Sequence, residues 1–300
     1  MVLISCILAN RFVALSSTEH TMTQKLLIYQ SLWAMERRRP DGHEWDLQEK
    51  LRMIRDAGFD GAGVRFAEHD YVSEVTQFLR DHDMTWQAQA YPQTIDDLKP
   101  ILEHVLKFGA DHLNVQPDVR PYTVQECIPL IMGWRELAAQ AGVRMHIETH
   151  RNRMTTDLFF TLHLLDAIPD LRMTGDLSHY VVGREFWYPI SPEDDAMMQR
   201  IIDQCWGFHG RVASREQIQL QLSFPQHQHW VAVFMDWWRR GFEQWRKKAG
   251  ADETFTFLCE LGPPEYAMTG ADGYELSDRW EESLVMKDQI RALWQSGLKG

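Results

Sequence analysis

Short apolar runs alternate with longer amphipathic segments along almost the whole chain. The runs are LLIYQSLW (26–33), FDGAGVRF (59–66), MTWQAQA (84–90), HLNVQP (112–117), VRMHIET (143–149), LRMTGD (171–176), CWGFHGRV (205–212) and TFTFLCEL (254–261). Their length and content are those of strands. Helical segments are expected between and after them, at 44–58, 69–83, 94–109, 123–142, 155–168, 191–204, 229–250 and 278–294. The first of these ends on Gly58, a helix-stop residue. Strands alternating with helices imply parallel pairing through right-handed crossovers. Eight such units fill nearly all of residues 26–295, which predicts a single-domain α/β protein, a closed (β/α)8 barrel. No linker or low-complexity segment divides it. Three connections after the later strands are long, at 178–192, 213–227 and 262–277. Loops of that length are usually functional.

Four ionisable residues end four successive strands: Glu148, Asp176, His209 and Glu260. In a closed parallel barrel the C-terminal strand ends converge on one mouth, where such barrels place their chemistry. Asp176 follows Glu148 by 28 residues and His209 follows Asp176 by 33, each about one βα repeat. The step of 51 to Glu260 is lengthened by the 213–227 loop and the long helix after it. Two Glu, one Asp and one His make an oxygen-rich site with one nitrogen. That donor set suits one divalent ion, Mn, Mg, Co or Zn. The bland alternative is a ring of solvated or ion-paired side chains.

The net charge of −12 argues against nucleic acid as the main partner, since phosphate binding needs a basic surface. No stretch is long and apolar enough to span a membrane. Cys6, Cys127, Cys205 and Cys259 lack metal-knuckle spacing, and buried free thiols in a reducing cytoplasm are expected. The apolar start, MVLISCILANRFVALSS, faintly resembles a signal peptide. It has no basic region before the apolar stretch, and Arg11 interrupts it. Met22 opens a better start. We therefore expect residues 1–24 to be an extension outside the barrel, residues 25–300 to form it, and deletion of 1–21 to be tolerated.

With these residues in place, the chain resembles the xylose isomerase-like TIM barrel superfamily of sugar isomerases and epimerases over roughly 26–295. The resemblance implies that Glu148, Asp176, His209 and Glu260 hold one divalent metal. GDLSH repeats the Asp-x-x-His motif and brings in His179; HGRV brings in Arg211; ELGPPEY is similar to a subgroup pattern after the last strand. The implied activity is proton abstraction next to a carbonyl, through a metal-stabilised enediolate, on a small-molecule carbohydrate. Glu148 and Glu260 would exchange the proton. His179 and Arg211 would bind the polarised oxygen. His150 and Arg151, in ETHR, are further substrate-binding candidates.

Other positions are weaker. Trp33, Arg65, Gln89 and Gln116 lie at the ends of the first four strands and could set specificity. His146 alternates with Glu148 and reads as a packed, hydrogen-bonded core histidine. Trp237, Trp238 and Trp245 read as packing against the barrel or as a subunit contact; oligomeric state stays open, a homo-oligomer included. The competing function is a lyase or dehydratase using the same metal site, with Tyr188, His227, His229 or Tyr266 protonating a leaving group. A phosphodiesterase of the endonuclease IV type would need more histidines and a basic groove. A degenerate barrel would have lost ligands.

Overall fold

A computed structural model describes residues 24–37, 44–66 and 68–297 of the protein. All eight expected strands form: β1 (Lys25–Ser31), β2 (Gly61–Arg65), β3 (Thr85–Ala90), β4 (His112–Val115), β5 (Met145–Glu148), β6 (Met173–Gly175), β7 (Cys205–Gly210) and β8 (Thr254–Cys259). Each pairs in parallel with the next. β8 closes on β1, in register from Lys25 opposite Thr254 to Gln30 opposite Cys259. The chain is thus a single-domain (β/α)8 TIM barrel. All of the proposed extension but Gln24, and Cys6 with it, lies outside the described residues; the Gln24 amide donates to the Arg246 and Ala249 carbonyls.

The helices are α1 (Leu47–Asp56), α2 (His69–Asp81), α3 (Leu98–Phe108), α4 (Val124–Gln140), α5 (Leu158–Ala167), α6 (Ser178–Gly183), α7 (Pro192–Ile202), α8 (Gln228–Lys248) and α9 (Arg279–Ser296). Local chemistry sets the ends of α1. Asp46 caps its start in a reciprocal box with Glu49. Just beyond its end, Gly58 takes φ +72°, which side chains resist. The α-helix the sequence reading missed is α6, inside a segment expected to be loop. SHYVVG is too short to show a helical period, and its first residues are buried whatever face they occupy. Tyr180 anchors it through a 2.8 Å hydrogen bond from its hydroxyl to Thr161 Oγ1.

The aromatic residues of α8 pack on the outside of the barrel. Trp238 meets Phe257 edge to face at 5.1 Å, and Trp245 meets Phe255 at 5.4 Å. Trp237, Trp238 and Trp245 are buried, as the packing reading expected. Burying rings of this size against β7 and β8 stabilises the wall that carries His209 and Glu260.

The interior of the barrel is polar for much of its depth. Hydrogen bonds between strands that are not neighbours must cross it. Gln87 on β3 reaches His209 on β7, and Gln89 on β3 reaches Glu148 on β5. His112 and His146 pack together, tilted, at 4.8 Å in the same interior. His146 is buried as expected, but its Nδ1 has no hydrogen-bond partner. TIM barrel interiors are usually filled by branched aliphatic side chains. Here amides and imidazoles replace many of them and form a scaffold under the mouth.

Candidate metal and substrate site

Glu148 is the last residue of β5, and Glu260 directly follows β8. His209 lies in β7 one residue before its end. Closure of the sheet brings them together: one ligand atom from each lies within 4.8 Å of the others. His209 Nδ1 is 3.0 Å from Glu260 Oε2 and 3.6 Å from Glu148 Oε1. The side-chain amide of Gln87 meets Nε2 of the same ring at 3.0 Å, which holds Nδ1 towards the carboxylates. Glu148 is held from its other side. Its oxygens accept from the amides of Asn114 at 2.5 Å, Gln116 at 2.9 Å and Gln89 at 3.3 Å.

Asp176, just past β6, stands beside this trio rather than within it. Its Oδ2 accepts from Arg211 Nη1 at 2.5 Å, and its Oδ1 accepts from the Ser178 hydroxyl and backbone N–H. Arg211 spans from β6 to β8, since its Nη2 also donates to Glu260 O at 3.0 Å and Oε2 at 3.3 Å. Its Nε–H is buried without an acceptor. His179, on α6, is fully buried. Its Nε2 lies 3.4 Å from Asp176 Oδ2 but out of alignment, so neither ring nitrogen has a hydrogen-bond partner. His150 packs against it with ring centres 3.9 Å apart and planes inclined at 51°.

Burial and charge act against each other throughout this cluster. Burial raises the Glu148 pKa, and the Glu260 and Asp176 charges add to that rise against the pull of His209. For Glu260, burial again pushes upward, but His209 and Arg211 outweigh it and the net shift is downward. For Asp176, too, burial is outweighed, by Arg211 and His179, and its pKa falls well below the carboxylate range. Burial alone would lower His209, yet Glu260 and Glu148 push it up to about 9. Burial lowers both His150 and His179 and keeps them neutral.

The donor set fits a divalent cation. Three buried carboxylates repel one another, and a central positive charge relieves that repulsion. Oxygen donors with one imidazole suit Mg, Mn, Co or Zn.

Above the cluster is a cavity of about 370 Å³. Glu260, Arg211 and His150 border it, and so do all four weaker candidates from the early strands: Trp33, Arg65, Gln89 and Gln116. Glu148 lies below, screened by its amides.

No family model and no curated protein sequence matches the chain. Solved structures do match. One is a xylose isomerase-like TIM barrel protein from Mycobacterium smegmatis in complex with magnesium, with TM-score 0.58, 13% identity, and coverage of 89% of this chain and 97% of that one. A second is D-psicose 3-epimerase with D-tagatose from Clostridium cellulolyticum H10, with TM-score 0.58, 10% identity, and coverage of 90% and 99%. A third is the probable 3-DHS dehydratase involved in petrobactin synthesis from Bacillus anthracis, with TM-score 0.55, 14% identity, and coverage of 88% and 98%. The fold is that of the xylose isomerase-like TIM barrels.

In this barrel the sequence reading missed Asn114, Gln87, Tyr91 and Arg153. Asn114 and Gln87 hold the ligand candidates from across the interior, while Tyr91 and Arg153 line the cavity. Period-2 patterning of the buried strands, with amides two residues apart in Gln87-Ala88-Gln89, was the available signal. Arg151 is not at the cavity surface itself; it stacks over Tyr266, which is. Of the four residues considered as leaving-group acids, Tyr266 borders the cavity. Tyr188 and His229 instead pack together at 4.5 Å, and His227 Nδ1 contacts the Gln221 carbonyl at 2.9 Å.

Proposed function

We propose that this protein is a divalent-metal-dependent sugar isomerase or epimerase. The observation that carries the reading is the position of Glu260. One carboxylate both borders the cavity and stands 3.0 Å from His209 in the buried cluster. Glu148, His209 and Glu260, with Asp176 beside them, would hold the ion. Bound there, it would polarise neighbouring oxygens of a ketose as a Lewis acid.

The chain's own groups supply the proton chemistry. Glu260, kept ionised by His209 and Arg211, removes the proton from the carbon next to the carbonyl. Glu148, whose pKa burial raises, is the second carboxylate of the cluster and would return the proton once substrate enters beside the ion. Two carboxylates pushed in opposite directions are suited to such a division of roles. Arg211 Nε–H and His179 are buried donors without partners, and they receive the substrate oxygen that gains negative charge. His150 completes the wall around it, and Arg151 backs that wall through Tyr266. In this reading residues 25–300 are the catalytic unit, residues 1–21 are dispensable, and the free buried thiols suit a cytoplasmic setting.

The likeness to an epimerase supports the reading, and the likeness to a dehydratase keeps a second one in view. Tyr266 at the cavity could protonate a departing oxygen, which would turn the same first step into an elimination. The test is to incubate metal-loaded protein in heavy water with a panel of ketoses and 3-keto-glycosides. Deuterium should enter at the carbon next to the carbonyl, and chelation should stop it. No exchange with any member of the panel would end the proposal.

A further inference from the structure

The mouth of the barrel holds more positive charge than the proton chemistry uses. Arg65, the last residue of β2, lies over the Trp33 ring at 4.6 Å, and Arg151 lies over the Tyr266 ring at 4.9 Å. Neither has a carboxylate within ion-pair reach among the described residues. Arg211 and Arg153 differ, since the first pairs with Asp176 and Glu260 and the second with Asp118. The chain has 43 acidic residues against 31 Lys and Arg, so a carboxylate partner is easily found elsewhere. Arg135, Arg144 and Arg240 each have one. Arg52, Arg80 and Arg246 also lack a carboxylate partner among the described residues, but Arg65 and Arg151 stand together on two touching rings at the mouth.

Their geometry bears on what they could bind. Stacking on an aromatic ring holds a guanidinium by its face and leaves its in-plane N–H donors free. Those donors match the two oxygens of a carboxylate. The two aromatic platforms form one unit, because Trp33 and Tyr266 meet edge to face at 5.3 Å. Gly262 makes that contact possible, as a Cβ there would come within 2.6 Å of Trp33. Directly below, the buried Arg211 Nε–H still lacks an acceptor.

We infer that the substrate is a sugar acid. Its carbonyl end lies at Glu260 and its carboxylate is received by Arg65, with Arg151 strengthening the positive field. The inference rests on the reading of this site as a proton-transfer centre for a carbonyl sugar. A phosphoryl group offers similar oxygens. The chain has no Gly-rich phosphate cradle, and the planar fork on a ring favours the planar anion.

Calorimetric titration of the metal-loaded, full-length protein with three unreactive six-carbon polyols tests this. The probes are glucitol, gluconate and glucitol 6-phosphate. Arg65 is solvent-exposed, so R65M should fold. Gluconate should bind about tenfold more tightly than glucitol or better, the scale of one charge-assisted pair. R65M should remove that advantage by weakening gluconate far more than glucitol, and R65K should keep part of it. Four results would overturn the inference. These are equal affinity for gluconate and glucitol, a gluconate preference that survives R65M because the metal captures the carboxylate, tighter Arg65-dependent binding of the phosphate than of gluconate, or no gluconate binding at millimolar concentration. Deuterium wash-in on a neutral ketose, unaffected by R65M, would discard the acid and keep the proton-transfer reading. Arg65-dependent gluconate binding without wash-in on any carbonyl sugar would do the reverse.

Discussion

Nδ1 of His209 stands 3.0 Å from Oε2 of Glu260, so the candidate ligand nitrogen faces a carboxylate inside a buried site. Burial would lower the histidine's pKa. The charges of Glu260 and Glu148 overcome that and push it up to about 9. Without metal the ring therefore carries its extra proton below about pH 9, and an ion that takes Nδ1 must displace it. Metal uptake at pH 7 should release about one proton, and apparent affinity should strengthen as pH rises towards 9. Titration with manganese in buffers of different ionisation enthalpy counts the released protons. A count of zero at pH 7 would show that His209 is not a ligand.

Glu260→Gln should reduce deuterium wash-in by about 10²–10⁴, the usual contribution of a positioned acid or base. Substrate affinity should change much less, because the amide keeps the size and one acceptor. Near-normal wash-in with full metal loading would remove Glu260 from the acid–base role.

Asp176→Asn separates two jobs. As one of the four ligand candidates it should serve the metal, so the variant should lose metal affinity. The structure adds a structural role, because Asp176 balances the fully buried guanidinium of Arg211 at 2.5 Å. Removing one partner of a buried ion pair costs about 3–5 kcal/mol. The variant should therefore unfold at a lower temperature even with metal stripped from both proteins. Equal metal-free stability of variant and parent would restrict Asp176 to the ion.

The barrel was legible because its signal is repeated. Eight apolar runs with helical segments between them leave few topologies, and Glu148, Asp176, His209 and Glu260 were visible as strand ends. What hid was contact through the interior. Nothing in the local sequence around Gln87 announces that it will meet His209, 122 positions away. Only closure of the sheet brings β3 across from β7. Likewise Arg211 could be seen as near the site, but not as the link between Asp176 and Glu260. The short α6 escaped for a different reason. Burial on nearly all sides erases the amphipathic period from which helices are read.

Gly262 is a prediction made from space alone. A methyl group there would meet Trp33 at 2.6 Å and Tyr266 at 3.0 Å. Gly262→Ala should force the two rings apart and distort the cavity that both line, at a cost of about 1–3 kcal/mol. KM should rise about tenfold or more, while metal affinity stays near that of the parent because no ligand candidate touches the added carbon. Unchanged KM would mean that the Trp33–Tyr266 contact does not shape the binding site.

Tyr266 decides between isomerisation and elimination. Both begin with removal of the proton next to the carbonyl, so Glu260 and the metal cannot distinguish them. Elimination needs one thing more, an acid for the departing oxygen. Tyr188, His227 and His229 are engaged with Trp230, the Gln221 carbonyl and one another, whereas Tyr266 borders the cavity. Tyr266→Phe keeps the ring that packs on Trp33 and lies under Arg151 and Arg211, and removes only the hydroxyl. For an isomerase or epimerase the variant should keep both deuterium wash-in and product formation within about threefold, since a lost acid would cost about 10²-fold or more. Wash-in that persists while product formation stops would assign the hydroxyl to a leaving group. The protein would then be a lyase built on the same metal site.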